Sequence, residues 1–593
     1  MKDFLKFTLA TVTGIVLVCV TTFLLSIISL FGIVSASEME VPVEKNSIFT
    51  LSLNKPLEER ATENPFAMIM GEGYESIGLN DVLSSIKKAK ENENIKGIYI
   101  EAGQFGGASP ASLEEIRRAL LDFKSSGKFI ISYGDNYSQG EYYLCSVADK
   151  LILNPQGTID WTGLSAQPTF YKRLLEKIGV EMQIFKVGTY KSAVEPFIAT
   201  EMSEANREQV TAYLNSIWNQ MTEDVAASRG LSCNILNEYA NQMLTMGTSE
   251  ELVRGGMADS LLYKDEVKSF LKALTDTDED ESLNTLGLSE MINVKRNTPM
   301  DKSGNILAVY YATGEISDYP TNSPTGGSEG IVGSKVIKDL NRLRNDDNVK
   351  AVVLRVNSPG GSAFASEQIW NEVVKLKAEK PVIVSMGDYA ASGGYYISCA
   401  ADSIFAEATT LTGSIGIFGM LPNLEGLLTD KLGLDFDVVK TNDFSDIGTP
   451  TRAMTEPEKN LLQRTINRGY DLFVKRCANG RQMSEEDIRK IAEGRVWTGS
   501  MAQDLGLVDQ LGGINEAIAA AASKAGIETY TILSYPEQPS IFDSLINQGK
   551  DNYINSHLQS KTGGYYNYLN IIHRLQKANR VQAHMGTTPN IKL

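Results

Sequence analysis

Residues 387–402 read GDYAASGGYYISCAAD, and residues 134–149 read GDNYSQGEYYLCSVAD. Each stretch follows a short apolar run, FIIS at 129–132 and VIVS at 382–385, and leads into a helical pattern. A buried strand, a tight turn and a helix, met twice, argue for an α/β fold with parallel strands. Outward from this pair the correspondence continues. IKGIYI (95–100) answers VKAVVL (349–354), and IGVEMQIFK (178–186) answers LGLDFDVVK (432–440). Ala258-Asp259 answers Val508-Asp509. The chain is therefore a tandem repeat, with halves at 45–272 and 301–530, each built of stacked strand–helix units. An acidic stretch at 273–300, containing TDTDEDES, reads as a linker. Residues 531–593 are rich in Asn, Tyr and Gln and read as an appended helix and flexible tail.

The 593-residue length fits several domains at about 100–200 residues each. The net charge of −17 argues against a nucleic-acid binder, which needs a basic surface. Five cysteines, widely spaced and without a CxxC pair, do not form a disulfide framework. The three histidines, His557, His573 and His584, all lie in the tail. Unless the tail folds back, the main body works without imidazole, which disfavours a Ser-His-Asp triad or a His-based zinc site.

Residues 7–34 carry no charge and exceed the roughly 20 residues needed to cross a bilayer core. They also exceed the apolar region of about 7–15 residues in a cleaved signal peptide. Lys2 and Lys6 precede the run, and Glu38, Glu40 and Glu44 follow it. The positive-inside rule then puts residues 1–6 in the cytoplasm and the body of the chain outside it.

Two glycine-rich turns follow strands of the second half: NSPGGS (357–362) and AASGG (390–394). The carboxyl ends of parallel strands are where such folds place their sites. Ser392, at a helix start and flanked by Ala and Gly, reads either as a nucleophile or as a helix cap. The N–H of Gly393, with that of Gly360 or Gly361, would suit an oxyanion. A nucleophilic serine needs a base, and lysine serves when burial lowers its pKa. The counterpart of Ser392 in the first half is Gln139, and the counterpart of Lys191 in the second half is Ser445. One half keeps the serine and the other the lysine. Lys186, by contrast, is matched by Lys440 and so reads as structural.

At these residues the chain resembles the signal peptide peptidase A (protease IV) family in its long, tandem-domain form. The resemblance rests on the N-terminal anchor, the two halves, VGTYKSAVEPF, NSPGGS, GDYAASGGYYIS and TGSIGI (412–417), and covers residues 1 to 530. It implies tandem Clp protease/crotonase-like domains after one transmembrane helix, assembled as a homo-oligomer, with a tetramer expected. It implies a serine endopeptidase with Ser392 as nucleophile and Lys191 as general base, and with Gly361 and Gly393 holding the oxyanion. Ser414, in the TGSIG turn, is a candidate to orient the lysine. The resemblance further implies remnant signal peptides as substrates, a bacterial inner-membrane location and no cofactor. Two other readings share parts of this pattern: a crotonase-type acyl-CoA enzyme and a non-catalytic peptide-binding membrane scaffold.

Overall fold

The computed structural model describes residues 4, 6–8, 10–22, 40–61, 76–296, 301–320, 330–538 and 581–585. In the first half, strands run in the order Ser260–Leu261, Lys150–Ile159, Phe129–Tyr137, Ile95–Ala102, Ser47–Leu51 and Thr285–Leu286, all parallel. In the second half, Val382–Ala391, Val349–Ser358, Ile306–Thr313 and Thr531–Tyr535 lie side by side in the same sense. Ser403–Ala406 and Leu411–Gly413 both pair with Val382–Ala391, and Val496–Thr498 closes that edge antiparallel. The central strands are buried on both faces, as parallel sheets covered by helices must be.

The repeat extends to the ties between elements. Asp149 accepts from Ile130 N, and its counterpart Asp402 accepts from Val382 N. Asp259 is clasped by Arg229, and its counterpart Asp509 by Arg481. Residues kept in both halves here hold loops onto sheets.

Strand pairing carries each half past the boundaries expected from the sequence. Within the 273–300 linker, Thr285–Leu286 adds an edge strand beside Ser47–Leu51, and Leu288–Ile292 is helical with Met291 buried. The tail beyond 530 is likewise not simply appended. Thr531–Tyr535 is the matching edge strand of the second half, and Gln582–His584 is a strand inserted in a third sheet. Both gain backbone hydrogen bonds that a free tail lacks, and Ala583 and Tyr535 are buried.

That third sheet joins the halves. Its order is Ile331–Val332, Ile316–Ser317, Gly360–Ser362, Gln582–His584, Phe418–Asn423 and Glu181–Lys186, so a first-half strand forms one edge of a second-half sheet. A buried ion cluster adds to the joint. Arg355 of the second half lies 2.8 Å from both Glu59 and Glu115 of the first. Breaking such a cluster from one side strands a buried charge.

Of the span expected at 7–34, residues up to Thr22 are partly described and helical, and the remainder lies outside the described residues. Among the described residues no helix is long and apolar enough to cross a membrane.

Candidate active site

Ser392 sits where strand Val382–Ala391 gives way to helix Gly393–Ser398. Its backbone is turned to φ 54°, ψ −111°, which a side chain rarely tolerates. Such strain costs about 1–3 kcal/mol and persists only where the surroundings enforce it. Here the strand fixes one side, and Ser392 N donates to Gly413 O at 2.8 Å on the other. The Ser392 side chain makes no capping hydrogen bond to the helix, so of the two readings of this serine the cap falls away. In the first half the matching helix, Gln139–Cys145, is capped by the Ser138–Glu141 box.

Lys191 is delivered by the joint between the halves. Strand Glu181–Lys186 pairs antiparallel with Phe418–Asn423, Val187 N donates to Ile417 O, and the chain then turns inward. Lys191 is 1% exposed. Its Nζ lies 2.7 Å from Ser392 Oγ, 3.0 Å from Ser414 O and 3.0 Å from Ser414 Oγ. A neutral amine has two hydrogens and one lone pair, and the three positions match that set, with Ser414 O and Oγ placed to accept both N–H groups and Ser392 Oγ left facing the lone pair. Burial pushes the Lys191 ammonium well below the ordinary lysine range. Among the described residues no carboxylate forms an ion pair with it. Ser414 is itself held at φ 50°, with its N–H donating to Arg495 O at 2.7 Å.

This burial has a stability cost that a mutation exposes. The folded Lys191 pKa lies below the unfolded one, so the unfolded chain binds the extra proton and stability falls as pH drops through that interval. Lys191→Met keeps the aliphatic stem and removes the amine. We expect it to be inactive but more stable than wild type by about 1 kcal/mol at pH 7, read by thermal or denaturant unfolding. An unchanged or lowered stability would contradict this.

Gly360 and Gly393 lie against each other beside Ser392. Strand Gln582–His584 lies antiparallel on Gly360–Ser362, pairing His584 with Gly360 and Ala583 with Gly361, and Met585 N donates to Pro359 O at 2.7 Å. The Ala583 carbonyl oxygen rests over the two glycines. A Cβ at Gly360 would stand 2.1 Å from that oxygen and 2.8 Å from Gly393 N, and a Cβ at Gly393 would stand 3.0 Å from the oxygen. The seated segment is thus an extended peptide strand with one carbonyl over the two glycines. The tail does fold back, and His584 is half-buried near Lys191, with its imidazole held down to about 4 by desolvation and by that lysine. The group on Ser392 Oγ is nevertheless Lys191. Nothing in the weakly periodic tail sequence signals this strand.

The counterparts in the other halves are engaged elsewhere. Gln139 Oε1 accepts from Thr162 N and Gly163 N and so fills its own loop. Ser445 is exposed and bonds to Asn442. Each chain thus brings together one Ser–Lys pair, across its own halves.

The sequence pattern of Peptidase family S49 matches residues 122–278 and 374–528, and that of Clp protease matches residues 327–410. Protease 4 of Salmonella typhi is 38% identical over 475 residues, 79% of this chain and 75% of that protein. Protease 4 of Haemophilus influenzae is 38% identical over 74% of this chain and 71% of its own length. Serine protease SPPA, chloroplastic, of Arabidopsis thaliana is 32% identical over 82% of this chain and 70% of its own. The family pattern covers both halves of a Clp protease-like α/β tandem and its relatives run along most of the chain, so this protein belongs to peptidase family S49 and is a serine-type peptidase.

Proposed function

We propose that the chain is a membrane-anchored endopeptidase that degrades remnant signal peptides with Ser392 as nucleophile and Lys191 as general base. The observation that carries this reading is a peptide strand, Gln582–His584, seated on Gly360–Ser362 beside a buried lysine on a serine hydroxyl. Lys191 takes the Ser392 proton as Oγ attacks the peptide carbonyl carbon. The N–H groups of Gly361 and Gly393 hold the oxyanion. The C–N bond breaks, Lys191 returns its proton to the leaving amine, and water deprotonated by Lys191 then hydrolyses the ester. Ser414 accepts from the lysine throughout and keeps its lone pair on Ser392.

The anchor is supported by the described part of the N-terminal helix, where Phe7, Val12, Ile15, Val16, Leu17, Val18 and Val20 all stand exposed. The lysines before the run support a body on the periplasmic side of the inner membrane. Assembly into a homo-oligomer, a tetramer by the family resemblance, is supported by the repeat. Glu181–Lys186 pairs with Phe418–Asn423 inside one chain, while their counterparts, residues 435–440 and 164–169, form no strand. Phe436, Val438 and Val439 are exposed there. The same pairing between copies would cover them.

The test uses the full chain in liposomes with a synthetic apolar signal peptide, its fragments read by mass spectrometry. Fragments from wild type and none from Ser392→Ala are expected. Cleavage of soluble unfolded protein but never of the inserted signal peptide would remove the proposed substrate class. Removing residues 581–593 is expected to raise kcat/KM for added peptide by about tenfold, because a tethered strand competes at high effective concentration. An unchanged value would mean that the strand does not occupy the substrate seat.

A further inference from the structure

We propose that Gln209 is a positioning residue that holds Lys191 in register with Ser392 by fastening the lysine loop of the first half to the serine-bearing edge of the second. This rests on the Ser392–Lys191 reading of the site.

Gln209 lies in the second turn of helix Glu204–Arg229 and is 2% exposed. A buried amide must find partners or cost free energy, and this one is fully engaged. Its Nε2 stands 3.1 Å from Tyr190 O and 3.0 Å from Ser192 Oγ, so it grips the chain on both sides of Lys191. The same nitrogen also lies 3.0 Å from Asn206 Oδ1, and Asn206 in turn donates to the buried Glu195. Its Oε1 accepts from Val496 N at 3.1 Å. Val496 adjoins Arg495, whose carbonyl takes the Ser414 N–H at 2.7 Å, and Ser414 takes both N–H groups of the lysine. One side chain therefore touches both banks of the Lys191–Ser414 contact without touching the amine.

Neighbouring contacts fasten the same seam. Glu493 O accepts from Tyr190 N, and Gly494 packs so closely that a Cβ on it would meet the Lys191 backbone N at 2.8 Å. Among the described residues Lys191 N bonds only to Gly188 O, at a long 3.3 Å. A backbone N–H held at that length leaves the position of Lys191 dependent on what grips the loop.

The repeat argues that this clamp serves the site. Ser203 and Arg229 bound the first-half helix as Thr455 and Arg481 bound its counterpart, which sets Gln209 opposite Leu461. Residues common to both halves, such as Arg229 and Arg481 or Asp259 and Asp509, hold the fold. Gln209 departs from its counterpart as Lys191 does from Ser445. The amide is present only in the half that carries the lysine.

The experiment compares kcat, KM and the pH dependence of kcat/KM for wild type, Gln209→Leu, which installs the residue of the other half, and Gln209→Asn, which keeps the amide but shortens it. Ser392→Ala and a thermal melt are run alongside. With the clamp gone the lysine loop loosens and water reaches the amine. Gln209→Leu is expected to lose about 10–100-fold in kcat with KM within about twofold, the scale of a misplaced catalytic group. Its acid limb of kcat/KM should move to higher pH, so that raising the pH restores part of the lost rate. Gln209→Asn should fall between the two and covers the case in which Gln209→Leu does not fold. Wild-type kcat and an unmoved acid limb in a folded variant would overturn the inference. So would a rate loss that tracks a lowered melting temperature while the limb stays in place. If Ser392→Ala remains active, the dyad reading itself fails, which is a separate and recognisable result.

Discussion

Ser392→Ala and Lys191→Ala are each expected to abolish peptide hydrolysis, with kcat falling by about 10⁴–10⁶-fold, and the double variant to be no worse than either single one. Groups that act as a unit lose their joint effect when either is removed. The 2.7 Å contact between Lys191 Nζ and Ser392 Oγ makes them such a unit. The base in place on that hydroxyl is Lys191. Lys186→Ala is the control. Lys186 pairs with Phe418 in the joining strand and is matched in the other half, so its loss should leave most of the turnover.

The pH dependence has a definite sign. Protonated Lys191 has no lone pair, so kcat/KM falls as pH drops through the Lys191 pKa and is retained above it. Burial holds that pKa well below the ordinary lysine value of about 10.4, so the acid limb should lie far below it. An activity that rises only near pH 10 would mean a solvated lysine and a different base.

Gly360→Ala carries the second large effect. A methyl there would stand 2.1 Å from the carbonyl oxygen of the strand seated in the site and 2.8 Å from Gly393 N. Gly360 also holds φ at +103°, which disfavours any side chain. The methyl would push the substrate carbonyl off its N–H donors, and losing one such donor costs about 10²–10³ in kcat. The expected loss is of this size, with Ser392 and Lys191 still in contact. Steady-state kinetics, together with labelling of Ser392 by a small serine-reactive phosphonate, separate the two outcomes. Slow peptide turnover with retained labelling is expected. Wild-type turnover would mean that the carbonyl seat lies elsewhere.

Much of this arrangement is legible in the residues. The strand patterns and the paired GD…AD stretches fix parallel α/β halves, because short apolar runs capped by turns and followed by helices can be buried in few other ways. The asymmetry between Ser392 and Gln139, and between Lys191 and Ser445, singles out the two residues that the fold brings within 2.7 Å of each other, because a repeat exposes positions at which its halves have diverged. Arg229 and Arg481 show the opposite case, a match that marks scaffold.

Other features depend on contacts between residues far apart in the chain, which local pattern does not encode. Segment 178–186 and its counterpart 432–440 read alike, yet only the first forms a strand, because Phe418–Asn423 is there to pair with it. Gln209 looks like any polar residue near a helix start until Tyr190, Ser192 and Val496 close around it. The tail strand has no periodic signal, since three residues need only a glycine edge to pair with. The sequence by itself determined the doubled α/β plan, the apolar N-terminal run and the asymmetry that sets Ser392 against Gln139 and Lys191 against Ser445. Only the tertiary structure decided that the two meet within one chain, because the strand carrying Lys191 is hydrogen-bonded to the sheet of the half that carries Ser392.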